Sequence, residues 1–173
     1  MKPHEEHRKD AEGHLRVVIV TVSTSRYEKM TEGRPFTDEA GDVAAEEAGR
    51  AGHSVTGRVM ISDDRTMIRR EARAFLSGED DVLLLAGGTG LAPRDVTVET
   101  IRPFFEKELE GFGELVRRLG YDEVGAAAAL TRATAGVAKG KLIACMPGSP
   151  NGVRTAMRAF VNEFPHMVFI ARK

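Results

Sequence analysis

Val82-Leu83-Leu84-Leu85-Ala86-Gly87-Gly88-Thr89-Gly90-Leu91-Ala92-Pro93-Arg94-Asp95 is the stretch on which the fold turns. The apolar run Val82–Ala86 suits a strand buried on both faces. It stops at Gly87-Gly88-Thr89-Gly90, whose three glycines tolerate φ > 0 and leave main-chain N–H groups open to an anion. Arg94 and Asp95 bring opposite charges to the same rim. A helix is predicted just beyond, with Thr97 as N-cap and Glu99 in its first turn. Strand, glycine loop, charged pair and helix make the layout of a phosphate-handling site. The same residues also serve as a tight strand-to-helix connection.

Outward from this stretch, strands and helices alternate. Leu15–Val22 is β-branched and apolar, and ends in Ser23-Thr24-Ser25-Arg26. Hydroxyls and an arginine there can hold phosphate oxygens, although Ser and Thr are also ordinary turn formers. Tyr27 to Pro35 reads as a flexible polar loop. Thr37 is the predicted cap of a helix carrying Ala40, Val43, Ala44 and Ala48 on one stripe, with Gly49 and Gly52 as its stop. Ser54–Ile61 reads as a second strand. Asp63-Asp64 follows, Asp64 capping a helix with Met67, Ile68, Phe75 and Leu76 on its apolar face. The alternation predicts an α/β protein with a mostly parallel central sheet, right-handed crossovers and helices on both faces. Ligands then bind beyond the carboxyl ends of the strands, where Ser23–Arg26, Asp63-Asp64 and Gly87–Asp95 all fall.

Downstream, Val98 to Leu119 reads as helix interrupted at Pro103 and at Gly111-Phe112-Gly113. Ala126–Leu130 fits a helix by propensity or a thin strand by context. Leu142–Met146 is another short strand. Pro147-Gly148-Ser149-Pro150 follows, with Ser149 as N-cap and Pro150 at the first helical position. This helix start is a second candidate anion site, or a well-capped helix and nothing more.

Composition narrows the chemistry. A chain of 173 residues fits one domain with a sizeable core. We divide it into a mobile charged tail over residues 1–14 and a single domain over 15–173. With 25 basic and 26 acidic residues the formal charge is -1, which argues against a broad nucleic-acid footprint. Cys145, the single cysteine, excludes a disulfide framework and a cysteine-cluster zinc site. Its apolar setting marks an inert thiol. His4 and His7, on the tail, carry no metal-site reading. No apolar stretch is long enough to span a bilayer and no signal-peptide core precedes Leu15, so the expected setting is cytoplasmic. The run Gly136–Leu142 fails the P-loop spacing. Gly88, Gly90 and Pro93 fail the dinucleotide fingerprint. H-E-x-x-H and G-x-S-x-G are absent. Phosphate chemistry without a Walker lysine remains. Asp95 and Asp63 are the carboxylates best placed to meet Mg²⁺ together with substrate phosphates. A turn or capping role serves Asp63 equally well.

The spaced motifs resemble a known family. Gly87-Gly88-Thr89-Gly90, Arg94-Asp95-Val96-Thr97 with Glu99, Glu110-Gly111-Phe112-Gly113-Glu114, Thr131-Arg132-Ala133-Thr134-Ala135-Gly136 and Met146-Pro147-Gly148-Ser149-Pro150 occur in the order seen in the MoaB/MogA proteins of molybdenum cofactor biosynthesis and the related gephyrin G domain. The resemblance runs from about Leu15 to the end of the chain, and the Thr131–Gly136 form looks most like archaeal-type MoaB. It implies a three-layer α/β/α molybdopterin-binding domain assembled as a homotrimer or hexamer. It also implies transfer of AMP from ATP to molybdopterin with Mg²⁺, and a possible partner in the metal-insertion enzyme of the pathway. A non-catalytic molybdopterin carrier or scaffold is the alternative. By the same resemblance Asp95, then Asp63, are the catalytic and metal-contacting residues. Gly87, Gly88, Thr89 and Gly90 line the substrate phosphates. Ser23, Pro147, Gly148 and Ser149 complete the anion cradle, and Glu114, Thr131 and Arg132 contact pterin or phosphate. Thr131 stands where much of the family has serine, which keeps the hydroxyl and adds a methyl.

Overall fold

The computed structural model describes residues 13–173. The parts of the tail expectation that fall on residues 1–12, His4 and His7 included, lie outside the described residues. His14, assigned to the tail, is instead tied to the fold: its ring nitrogens meet the Gly52 carbonyl and the Ser54 hydroxyl.

A six-stranded sheet runs in the order β2-β1-β3-β6-β5-β4. Its strands are β1 (Arg16–Val22), β2 (Ser54–Ile61), β3 (Val82–Ala86), β4 (Lys107–Glu108), β5 (Thr134–Ala138) and β6 (Lys141–Met146). The neighbours β2-β1, β1-β3 and β3-β6 are parallel, as the alternation predicts. The β6-β5 and β5-β4 pairs are antiparallel and form an edge the sequence reading did not foresee. The turn between β5 and β6 is a two-residue hairpin at Lys139 (φ 51) and Gly140 (φ 70). Paired positive φ values match the right-handed twist of the flanking strands.

Residues of β3 are fully buried and alternate between two cores. Val82, Leu84 and Ala86 join one face, with α2 (Glu39–Arg50), α5 (Glu110–Val124), α6 (Pro150–Phe160) and α7 (Phe164–Ala171) packed on it. Leu83 and Leu85 join the other, under α3 (Arg65–Ser77) and the short α4 (Thr97–Ile101). Each leucine hidden this way contributes roughly 1.5–3 kcal/mol, so a three-leucine strand holds both helical layers at once. The fold is therefore α/β in three layers.

Five local expectations are corrected; the first is the cap read at Thr97, which is the opening residue of α4 with Val96 at the cap position. The segment read as a loop from Tyr27 is helical through α1 (Thr24–Thr31), which buries none of its residues and so shows no apolar period. Asp38, not Thr37, caps α2, its Oδ1 accepting the Gly41 N–H at 3.1 Å. The interruption expected at Pro103 occurs, as a 3₁₀ turn and β4 within Arg102–Leu109, but the one expected at the glycines does not. Ala126–Leu130 falls within a 3₁₀ segment, Gly125–Leu130. The caps at Asp64 and Ser149 form as read.

Gly111 and Gly113 both lie inside α5. A Cβ on Gly113 would stand 2.2 Å from the Ala133 carbonyl oxygen, whereas one on Gly111 meets nothing within 4 Å. Close packing thus overrides the cost of a helical glycine, about 1 kcal/mol relative to alanine. The two substitutions should have opposite signs. In thermal unfolding, Gly111→Ala should stabilise by about 0.5–1 kcal/mol, and Gly113→Ala should destabilise by about 2 kcal/mol or more.

Candidate active site

The crossovers from β1 leave in opposite directions, to β2 on one side and, through β2, to β3 on the other. The reversal opens a crevice at the carboxyl ends of β1 and β3. There a cleft of about 210 Å³ is lined by Ser23, Thr24, Arg26, Asp63, Gly87, Gly88, Arg94, Asp95 and Gly148.

Its floor is main chain. Gly87 has φ 113, and a Cβ there would stand 2.2 Å from the Val22 carbonyl oxygen. Its N–H donates to the Met146 carbonyl at 3.1 Å, binding β3 to the end of β6. Gly88 has φ 64, and its Cβ would stand 2.2 Å from Thr97 Oγ1. A Cβ on Gly148 would stand 3.1 Å from Gly87 Cα, so the two glycine loops touch.

The two carboxylates differ in what already holds them. Asp63 Oδ2 accepts the Thr24 N–H at 2.9 Å and the Thr24 hydroxyl at 2.8 Å. It thereby supplies the N-terminal acceptor of α1 that Ser23 does not, because the Ser23 side chain makes no capping bond. Asp95 Oδ2 accepts the Ala92 N–H at 2.8 Å and closes the turn against Gly90. In both, one oxygen is structural and the other has no protein hydrogen bond among the described residues. Arg26 and Arg94 form no ion pair with any described carboxylate, so their guanidinium groups keep donors for an incoming anion.

Ten of the residues singled out by the sequence meet in this cleft: Ser23, Asp63, Gly87, Gly88, Asp95 and Gly148, with Thr24, Ser25, Arg26 and Arg94. Pro147 and Ser149 flank it without lining it, and the Ser149 hydroxyl is committed to Gly152 N–H at 3.1 Å. Glu114, Thr131 and Arg132 line a second cleft of about 370 Å³, with Arg102, Glu108, Glu110 and Arg117.

Arg132 stands between the clefts as a tie. Its main-chain N–H donates to the Thr89 carbonyl at 3.0 Å. Its guanidinium donates to the Gly90 carbonyl at 2.9 Å, the Asp95 carbonyl at 3.0 Å and both oxygens of Glu99. Most of its donors are thus spent holding the glycine loop to β5 and α4. Thr89 is buried, with its hydroxyl 3.5 Å from that of Thr131. Glu108 escapes the sequence reading because β4 is two residues long and shows no alternation, and Arg117 because it is one of several charged residues on α5. The Glu110–Glu114 motif is the signal that points toward them.

Two carboxyls are held below the usual carboxylate range. The Arg132 guanidinium does so for Glu99. Arg102, assisted by the Thr134 hydroxyl, does so for Glu108.

Residues 18–166 match the family described as Probable molybdopterin binding domain. A probable molybdopterin adenylyltransferase from Methanocaldococcus jannaschii is 37% identical over 155 residues, covering 89% of this chain and 92% of the relative. Molybdenum cofactor biosynthesis protein B from Bacillus subtilis is 38% identical over 172 residues, covering 98% and 97%. The crystal structure of the tungsten cofactor synthesizing protein MoaB from Pyrococcus furiosus superposes with a TM-score of 0.82 at 33% identity, covering 92% of this chain and 98% of that one. The fold and the family match define a molybdopterin-binding class of α/β protein. Within it, the chain belongs to the MoaB/MogA family of molybdenum cofactor biosynthesis proteins.

The Glu99–Arg132 pair has a pH signature. The folded-state pKa of Glu99 is lowered, so its contribution is present above the unfolded value and is lost as pH falls through the folded one. With 41% of the Glu99 side chain exposed, that contribution is under about 1 kcal/mol. Glu99→Gln should lower the melting temperature near pH 7. The gap from wild type should close in melts recorded on the acid side of the ordinary carboxylate range.

Proposed function

We propose that the chain is a molybdopterin adenylyltransferase of molybdenum or tungsten cofactor biosynthesis, and that the 210 Å³ cleft takes the nucleotide phosphates. The observation that carries this reading is one juxtaposition. A main-chain floor without side chains, two half-committed carboxylates and two unpaired arginines meet at the sheet's switch point. Relatives named as molybdopterin adenylyltransferases supply the reaction.

An oxygen of the molybdopterin phosphate attacks the α-phosphorus of ATP. The bond from that phosphorus to the bridging oxygen breaks, and pyrophosphate leaves. The attacking phosphate is ionised at neutral pH and needs no general base. The protein's share is placement and charge neutralisation. Gly87 and Gly88 let phosphate oxygens approach main-chain N–H groups. Arg26 and Arg94 face the charge that passes to pyrophosphate. Ser23, whose hydroxyl makes no capping bond, and Gly148 border the same space. The second cleft, with Glu114 and Glu110 beside Arg117 and Thr131, suits the pterin, whose ring N–H groups pair with carboxylates.

Asp95 and Asp63 fit Mg²⁺. No group of three or more metal-ligating side chains occurs among the described residues. That suits an ion bound by one or two carboxylates with substrate phosphates and water. When bound it neutralises the triphosphate. The exposed apolar residues Leu115, Leu119, Tyr121 and Val124 of α5 support assembly into a homo-oligomer.

Asp95→Asn keeps a side-chain oxygen for the Ala92 N–H but removes the negative charge. With Mg·ATP and molybdopterin it should release pyrophosphate on the order of 10² times more slowly than wild type, with its melting temperature nearly unchanged. Pyrophosphate and the adenylylated pterin are read by coupled assay and mass spectrometry. Formation at the wild-type rate would remove Asp95 from the mechanism. Pterin binding by the wild type without any product would favour a carrier.

A further inference from the structure

Thr97 is fully buried, and its hydroxyl oxygen has no hydrogen-bond partner among the described residues. Its main-chain N–H donates to the Gly88 carbonyl at 3.1 Å, which fixes it beneath the glycine loop. One turn along α4, the Thr100 hydroxyl donates back to the Val96 carbonyl at 2.6 Å, the usual recourse of a helical threonine. Thr97 is the first residue of α4 and has no helical turn behind it to accept such a bond. A buried hydroxyl left unpaired is costly, and a partner that arrives with the ligand would relieve that cost.

The nearby acceptor lies toward the cleft. The point where a Cβ on Gly88 would stand is 2.2 Å from Thr97 Oγ1 and 3.1 Å from Asp63 Oδ1. That oxygen of Asp63 is the one Thr24 does not hold, since both Thr24 bonds end on Oδ2. The hydroxyl and the uncommitted carboxylate oxygen thus border the same small space, which exists because residue 88 has no side chain.

We propose that Thr97 is a positioning residue for Asp63, its hydroxyl donating to Asp63 Oδ1 through one water or directly when phosphates fill the cleft. Thr24 then fixes one oxygen of the carboxylate and Thr97 the other, so that the carboxylate plane cannot turn as charge moves to pyrophosphate. The proposal rests on the assignment of Asp63 to the nucleotide cleft.

Thr97→Val removes the hydroxyl at nearly constant volume, and Thr97→Ser restores it. For the first, kcat for pyrophosphate release should fall about tenfold or more, with KM for ATP within about twofold of wild type and the melting temperature equal or higher. The serine variant should regain kcat to within about threefold. In an Asp63→Asn background, Thr97→Val should add no further loss, because the two side chains act as one unit. Crystals of the wild type with Mg and a non-hydrolysable ATP analogue should show Thr97 Oγ1 bonded to Asp63 Oδ1, directly or through a water. Full activity in Thr97→Val, or an equal loss in Thr97→Ser, would overturn the positioning role. So would Thr97 and Asp63 losses that simply multiply. A wild type that binds the analogue but forms no adenylylated pterin from ATP and molybdopterin would instead overturn the adenylyltransferase reading, and the crystallographic bond would still decide the role of Thr97.

Discussion

The structure depends on a contact that leaves no space for a side chain. At the end of β3 the chain passes so close to the end of β1 that a Cβ on Gly87 would lie 2.2 Å from the Val22 carbonyl oxygen. The same residue donates to Met146 at the end of β6, and Gly148 presses against its Cα. Three parallel strands therefore converge on one peptide without side chains between them. Any L-residue at this φ would be strained and would also push β1 from β3. The backbone that this packing leaves uncovered becomes the floor of the cleft. Site and sheet closure have one cause.

Charge is distributed around that floor by commitment. Acidic groups near it are each partly spent on structure: Asp63 on the start of α1, Asp95 on the Ala92 turn, Glu99 on Arg132. The arginines divide. Arg132 gives its donors to Gly90, Asp95 and Glu99, whereas Arg26 and Arg94 pair with no described carboxylate. In the proposed reading a polyanion pairs with Arg26 and Arg94 without loosening the loop that Arg132 holds. This division separates attraction from rigidity. Displacing Arg132 would leave the Gly90 and Asp95 carbonyls unpaired, a loss that a phosphate could not make good because both groups are acceptors.

The parallel half of the sheet was legible because its strands are buried on both faces and read as continuous apolar runs, β3 above all. Caps at Asp64 and Ser149 were legible because both act within three residues. What escaped was set across the chain. The acceptor for the start of α1 comes from Asp63, 39 residues away, so the polar segment after Ser23 carried no local sign of a helix. Thr134-Ala135-Gly136-Val137-Ala138 lacks bulky β-formers, and it is a strand because β6 pairs with it across a two-residue turn. Gly136 is small because the Phe105 ring lies where its Cβ would be. Of the site residues, those on the glycine loop and at strand ends were found by position. Arg132 was found by resemblance, and it meets loop carbonyls where a substrate contact was expected.

The two clefts are tied to each other by hydrogen bonds of one strip of backbone, and that tie constrains how two substrates can meet. Thr89 follows the glycine floor, and its carbonyl receives the Arg132 N–H, while Thr131, the residue before, lines the second cleft with its hydroxyl near that of Thr89. In the proposed reading, a phosphate in the first cleft and a pterin in the second meet across this hydrogen-bonded strip of backbone. Sliding that strip would break the Arg132 bonds to Gly90 and Asp95 together, so its position is over-determined. In the proposed reaction both reactants carry negative charge and repel as they approach. A fixed partition that aligns them across a short edge serves such a transfer better than a mobile loop, because the work of bringing like charges together is then done by binding and not repeated at the moment of reaction.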